Sequence, residues 1–182
     1  MAIELTDVLH PDGADNAGGV QQHIYYAPLA DILTLPTVKS LDLAANMEDL
    51  VTIATAIVMK PTKAFRTLYC TVDKNGVKSE AVGERDGKSF KVTLKFTHPT
   101  NRAEILAFQR LTANRNMVFL VPETDGNVRI VGSKEFPAKL NSGSSDTGET
   151  IESLKHAAFE FSCNSRTPAP IYTAAVPLTP AP

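Results

Sequence analysis

The stretch from Ser89 to His98 constrains the fold more than any other part of the chain. Phe90, Val92, Leu94 and Phe96 alternate with Ser89, Lys91, Thr93, Lys95 and Thr97. Successive side chains of a strand point to opposite faces, so this segment reads as a strand with one dry and one wet face. The same period of two recurs from Ile151 to Cys163. There Ala157, Phe159, Phe161 and Cys163 share one face, while Glu160 and Ser162 lie on the other. Phe65 to Val72 reads as a third strand, ending in Asp73-Lys74-Asn75-Gly76. Asn-Gly supplies the positive φ angles of a tight hairpin, which makes Val77 to Gly83 the partner strand. Arg85-Asp86-Gly87-Lys88 then turns the chain back. Residues 65–97 are thus expected to form a three-stranded meander.

Met117 to Val121 and Val128 to Val131 flank Asp125-Gly126-Asn127 as another hairpin. Both strands are apolar on both faces, which places them inside a sandwich or barrel. Val20 to Ala27 and Val51 to Met59 read as two more strands, and Phe136 to Leu140 as a weaker one. The expected fold is mainly β, an antiparallel sandwich or barrel with one flanking α-helix. That helix follows Pro99. Asn101 is a candidate cap with Glu104 at the capping-box spacing, and Asn114 is a candidate C′ residue. Ile105, Ala107, Phe108 and Leu111 form the face expected to cover the β core.

A chain of 182 residues fits one domain, here with arms. Residues 1–19 are a polar N-terminal arm rich in Gly, Asp and Asn. Residues 28–50 form an inter-strand loop whose length calls for a role. Residues 166–182 hold five of the twelve prolines, so this C-terminal arm is expected to be extended and to be neither a helix nor a central strand. The start of the chain does not read as a signal peptide. The longest strongly apolar run, Leu50 to Met59, is too short to span a bilayer. Cys70 and Cys163 sit in apolar runs and read as small core residues of a protein made in a reducing cytoplasm.

Net charge is −2, from 18 Lys+Arg and 20 Asp+Glu. That balance excludes a protein that holds nucleic acid by charge. Gly83-Glu84-Arg85-Asp86-Gly87-Lys88-Ser89 ends like a phosphate-binding loop, but it is one residue short and precedes a strand. His10, His23, His98 and His156 lack metal-ligand spacing, and both cysteines are singletons. Asp12-Gly13-Ala14-Asp15-Asn16 is oxygen-rich without the regular ligands or closing Glu of a calcium loop. Ser144 and Ser145, in Gly143-Ser144-Ser145-Asp146, have no nucleophile elbow and read as a mobile loop. No catalytic, cofactor-binding or metal-binding residue is assigned, and no enzyme activity is expected.

Several blocks together resemble the phage tail tube proteins and the tube proteins of contractile injection systems. These are Val58-Met59-Lys60-Pro61 and Lys63-Ala64-Phe65, then Gly83-Glu84-Arg85-Asp86-Gly87 with Phe90. Asp125-Gly126, Arg129-Ile130-Val131-Gly132 and Pro137-Ala138-Lys139-Leu140 follow. Last come Thr147-Gly148, Phe159-Glu160-Phe161 and Pro168-Ala169-Pro170-Ile171-Tyr172. The likeness runs over roughly residues 50–175 and rests on layout. Ala174 and Ala175 stand where the family commonly has a Gly.

The resemblance implies a structural virion protein in the tail, made in the host cytoplasm. Its subunits would form stacked, hexameric rings around a channel through which DNA passes without specific binding. The implied partners are other copies of the chain, the tape measure, the terminator and the baseplate or hub, with no membrane and no cofactor. Other ring-forming virion parts, such as a tail terminator or baseplate component, and a ligand-binding β-sandwich are the alternatives. Six copies at −2 each would repel phosphate, so a net neutral or negative lumen is expected. The loop and the C-terminal arm are expected to contact neighbouring subunits through Ile32, Leu33, Leu35, Leu41, Leu43, Ile171, Tyr172, Val176 and Leu178.

Overall fold

The structure is a computed structural model that describes residues 3–10, 12–13 and 17–180. In chain order the elements are β1 (His23–Pro28), β2 (Ile32–Thr34), β3 (Thr52–Ile53), β4 (Val58–Met59), β5 (Arg66–Tyr69), β6 (Gly76–Val82) and β7 (Ser89–His98). Helix α1 (Ala103–Thr112) follows. The chain continues through β8 (Met117–Pro122), β9 (Val128–Val131), β10 (Lys139–Asp146), β11 (His156–Ser165) and β12 (Ile171–Tyr172). Two sheets carry the fold. One runs β10-β11-β7-β6 and the other β3-β12-β9-β8-β1-β5, with β2 and β4 as a separate pair. All pairings are antiparallel except β12 with β3.

The period-two alternation fixes the layers. Val92, Leu94 and Phe96 of β7 and Phe159, Phe161 and Cys163 of β11 face Ile24, Met117, Phe119, Val121 and Val131 of the six-stranded sheet. Ile105 and Phe108 of α1 close this core, with Phe108 edge-on to Tyr26 at 5.0 Å and to Phe159 at 5.5 Å. A second cluster covers the far face of the six-stranded sheet. Ala27, Val118, Leu120 and Ile130 meet Ile32, Ile53, Ile57, Met59, Phe65 and Tyr172 there. Strand β8 therefore has apolar layers on both sides, and all six of its residues are buried. The architecture is an antiparallel β-sandwich with one helix, as the alternation requires.

Several local expectations are corrected. Residues 65–97 are not one meander, because β5 pairs with β1 and β6 pairs with β7. Asp73-Lys74-Asn75-Gly76 is a crossover between the sheets. Its positive φ is at Asp73, and Asn75 donates through Nδ2 to Gln21 O at 2.9 Å. The Asp-Gly turn does join β6 to β7, with Asp86 at φ 65°. Residues 51–59 make two two-residue strands, β3 and β4, in different sheets, since Ala54-Thr55-Ala56 breaks the run. Phe136 to Leu140 is strand only from Lys139. Gly143-Ser144-Ser145-Asp146 is not a loop but the body of β10, held by the ladder to β11, and β11 begins at His156 rather than Ile151.

The helix begins later than its cap signal indicates. Arg102 rather than Asn101 takes the N-cap position with extended backbone, which puts Glu104 at N2 instead of N3, so no capping box closes. No side chain caps this end, and Asn101 Oδ1 is buried without a partner. Asn114 follows the C-cap Ala113 without a positive φ. Ile105, Phe108 and Thr112 are buried, whereas Ala107 and Leu111 face solvent.

The C-terminal arm contains an interior strand, contrary to expectation. Prolines 168, 170 and 177 flank β12 without entering it, so its donors remain available. Ile171 N donates to Val51 O at 2.8 Å and Thr173 N to Ile53 O at 3.1 Å. Gly132 lets the chain leave β9 for β10. Its φ is 101°, and a Cβ there would stand 2.7 Å from Met117 O.

Candidate functional site

The outward face of the four-stranded sheet is polar because it carries the off-beat residues of each strand. Lys78 and Glu80 come from β6, Lys91, Thr93 and Lys95 from β7, Glu160 and Ser162 from β11, and Lys139, Ser142, Ser144 and Asp146 from β10. Lys78 Nζ lies 2.5 Å from Glu80 Oε1 and Lys95 Nζ 2.9 Å from Glu160 Oε2. Asn141 Nδ2 donates to Glu160 Oε1 at 2.5 Å. Lys95 and then Asn141, by hydrogen bonding, hold the Glu160 carboxyl below its ordinary range; Lys78 does the same for Glu80. The face thus carries four lysines against three carboxylates, two of each paired, and a shallow groove crosses it between Ser142, Ser144, Lys95 and Glu160. Strands β10 and β6 are the two free edges of this sheet. Past an irregularity between Leu140 and Ser142, β10 runs regularly to Asp146 with neither Lys nor Pro to blunt it.

The nine residues expected at subunit contacts divide sharply. Ile32 and Tyr172 are buried in the chain's own second cluster, and Leu35 and Val176 pack against it. Ile32 pairs with Met59 across β2 and β4, so the segment 28–50 contains a strand. Tyr172 is fixed at its hydroxyl, which accepts from Ile57 N at 3.0 Å and donates to Ala175 O at 3.1 Å. The arm is further held by Phe65 N to Pro177 O at 3.0 Å, Ile130 N to Pro170 O at 3.0 Å and Ala169 N to Ser79 Oγ at 3.0 Å. The chain therefore orders most of its own C-terminal arm. Ile171 is half-buried, and Leu33, Leu41, Leu43 and Leu178 are exposed.

Further exposed apolar residues are Leu5, Val8 and Leu9 of the N-terminal arm and Ile151 and Leu154 between β10 and β11. An open cleft of about 600 Å³ is lined by Pro28, Leu29, Ala30, Asp31, Lys63, Arg115 and Asn116, with Lys63 Nζ 3.6 Å from Asp31 Oδ1.

The residues that imitate known chemistry have structural placements. Gly83 to Ser89 is the β6–β7 turn, and Lys88 Nζ donates back to Gly83 O. Among the described residues no three His, Cys, Asp or Glu side chains converge as a metal site, and no helix is long and apolar enough to cross a membrane. The calcium-like stretch 12–16 lies partly outside the described residues. Cys70 and Cys163 are buried free thiols of the main core; burial pushes them up to about 12 and about 11. Comparison with known protein families, curated proteins and solved structures gives no match to this chain.

Proposed function

We propose that the chain is a self-assembling structural subunit, the tail tube protein of a phage or related injection system. The observation that carries this reading is the four-stranded sheet, which has an open edge on each side and a polar outer face. Joining β10 of one copy to β6 of the next would satisfy both edges and continue the sheet into a closed barrel. Its polar face would then line the channel. Four lysines against three carboxylates give that lining one excess positive charge per copy, which puts the ring on the positive side of the expected neutral or negative range. DNA held by a channel needs many unpaired cations; here Lys78 and Lys95 are ion-paired and, among the described residues, Lys91 and Lys139 are the unpaired ones in each copy, few enough to suit passage. The partners on this reading are further copies of the chain and the other tail proteins, and its place is the virion tail.

Electron microscopy of the purified chain tests the proposal. Rings or tubes are expected, and they should be lost with Ser142→Lys/Ser144→Lys, which places charge on the β10 edge. Monomers at every concentration, with and without tail-initiation partners, would sink it. Rings that never stack would favour a terminator or baseplate component instead.

A further inference from the structure

We propose that the acidic, apolar N-terminal arm of one copy lies along the outer face of helix α1 in a second copy. The helix is apolar on both sides. Ile105, Phe108 and Thr112 meet the core. The opposite stripe, at the i, i+3, i+4, i+7, i+8 spacing, is Ala103, Leu106, Ala107, Arg110 and Leu111. All five are exposed, Leu111 at 55%. A surface helix with one buried side normally carries polar residues on the other, and a helix apolar all round is covered all round. Arg102, Arg110 and Arg115 accompany the stripe, and none forms an ion pair among the described residues. Glu104 is the one carboxylate between residues 102 and 115. The chemistry that fits this face is apolar and acidic.

The chain itself carries such a segment. Between Ile3 and Gly13 it has Glu4, Asp7 and Asp12 and no Lys or Arg, interleaved with Leu5, Val8 and Leu9. Leu5 is 92% exposed and Leu9 82%. Thr124 Oγ1 donates to Ala17 O at 3.1 Å and holds the base of the arm, whereas the described residues from Ile3 to Gly13 bond to the body from Thr6 N and Oγ1 to Met47 Sδ, at 3.2 and 3.3 Å. A single chain thus leaves both the arm and the helix stripe bare. Reach is not limiting. Val20 anchors the arm by bridging to Glu123. From Val20 back to Ile3 the chain extends up to about 58 Å, against a radius of gyration of roughly 16 Å for a domain this size and a ten-residue helix about 15 Å long.

This contact rests on the self-association in the reading above, not on the tube itself. It is tested with two full-length proteins, one carrying Leu5→Cys and the other, tagged, carrying Leu111→Cys. Both positions are exposed, and Cys70 and Cys163 are buried. Mixing under mild oxidation should give a disulfide-linked heterodimer on a non-reducing gel. Glu4→Lys/Asp7→Lys in the arm copy should cut its yield about tenfold, and Arg110→Glu in the helix copy should do likewise. Rings or tubes on the grid without this cross-link would overturn the contact and leave the tube reading intact. A cross-link between copies that form no rings would keep the contact and remove the tube. If the double variant Leu5→Cys/Leu111→Cys closes only within one chain, the second-copy assignment is wrong.

Discussion

Replacing Tyr172 by Phe removes one oxygen from a position that ties three segments together. The ring is buried in the second cluster, so Phe keeps the packing. The hydroxyl accepts from Ile57 N at 3.0 Å and donates to Ala175 O at 3.1 Å. Ala175 is exposed and its carbonyl can turn to water, so that loss is small. Ile57 is 4% exposed, and its N–H would be left buried without a partner. An unsatisfied buried donor costs about 1–3 kcal/mol. For a chain of this length each kcal/mol moves Tm by roughly 2–4 °C, so Tyr172→Phe should melt about 2–12 °C lower. In urea the midpoint should fall with the slope unchanged, because the surface exposed on unfolding is the same. Tyr172→Ala adds the lost ring and should cost about 3–5 kcal/mol. A Tyr172→Phe protein within about 0.5 kcal/mol of the parent would mean that the hydroxyl contacts are not formed, and with them the course of the chain from Pro170 to Ala175.

Deleting residues 166–182 should unfold or severely destabilise the protein by circular dichroism, since it removes β12 from between β3 and β9; deleting 178–182 should leave the melt unchanged. Gly132→Ala should cost at least about 1–3 kcal/mol, because its φ of 101° and the Met117 carbonyl both oppose a Cβ; an unaltered urea midpoint would refute the close approach. Both thiols should resist a thiol reagent near pH 8 until the protein unfolds, as burial raises them to about 12 and about 11, and rapid native labelling would contradict their placement. The Glu160 carboxyl is held below 4.5 in the folded state, so the unfolded chain binds more protons in acid. Its contribution is present above pH 4.5 and lost as pH falls through the lowered value, and Glu160→Gln should flatten that acid limb of the stability profile.

The strands that the sequence displays most clearly are those whose environment differs on their two faces. In β7 and β11 every second residue meets the core, so burial writes a period of two into residue type. In β8 both faces are buried, and the unbroken apolar run with its Asp-Gly turn is equally readable. Pairing is another matter. Asn75-Gly76 looks like a hairpin because the residue types suit one, yet the chain crosses between sheets there. What decides is whether Leu68 and Val77 face the core from the same sheet or from opposite ones, and hydrophobicity at each position is the same either way. β10 escapes notice for a related reason. Ser142 to Asp146 bury nothing, and only the hydrogen bonds offered by β11 make them a strand.

The same limit governs the candidate assembly surface. Hydrophobic residues mark burial without marking what buries them. Ile32 and Leu33 are adjacent and similar, yet one sits in the core opposite Met59 and the other points to solvent. Tyr172 and Leu178 part in the same way within one proline-rich segment. Helix α1 makes the point most clearly. Ile105, Ala107, Phe108 and Leu111 fit one broad apolar face, but the 3.6-residue period separates Ile105 and Phe108 from Ala107 and Leu111 once the core takes its share. The residues left over, on the helix, the arm and the loop, are those that a single chain cannot use. They, rather than the buried members of the same segments, are where substitutions should change assembly without changing the melt.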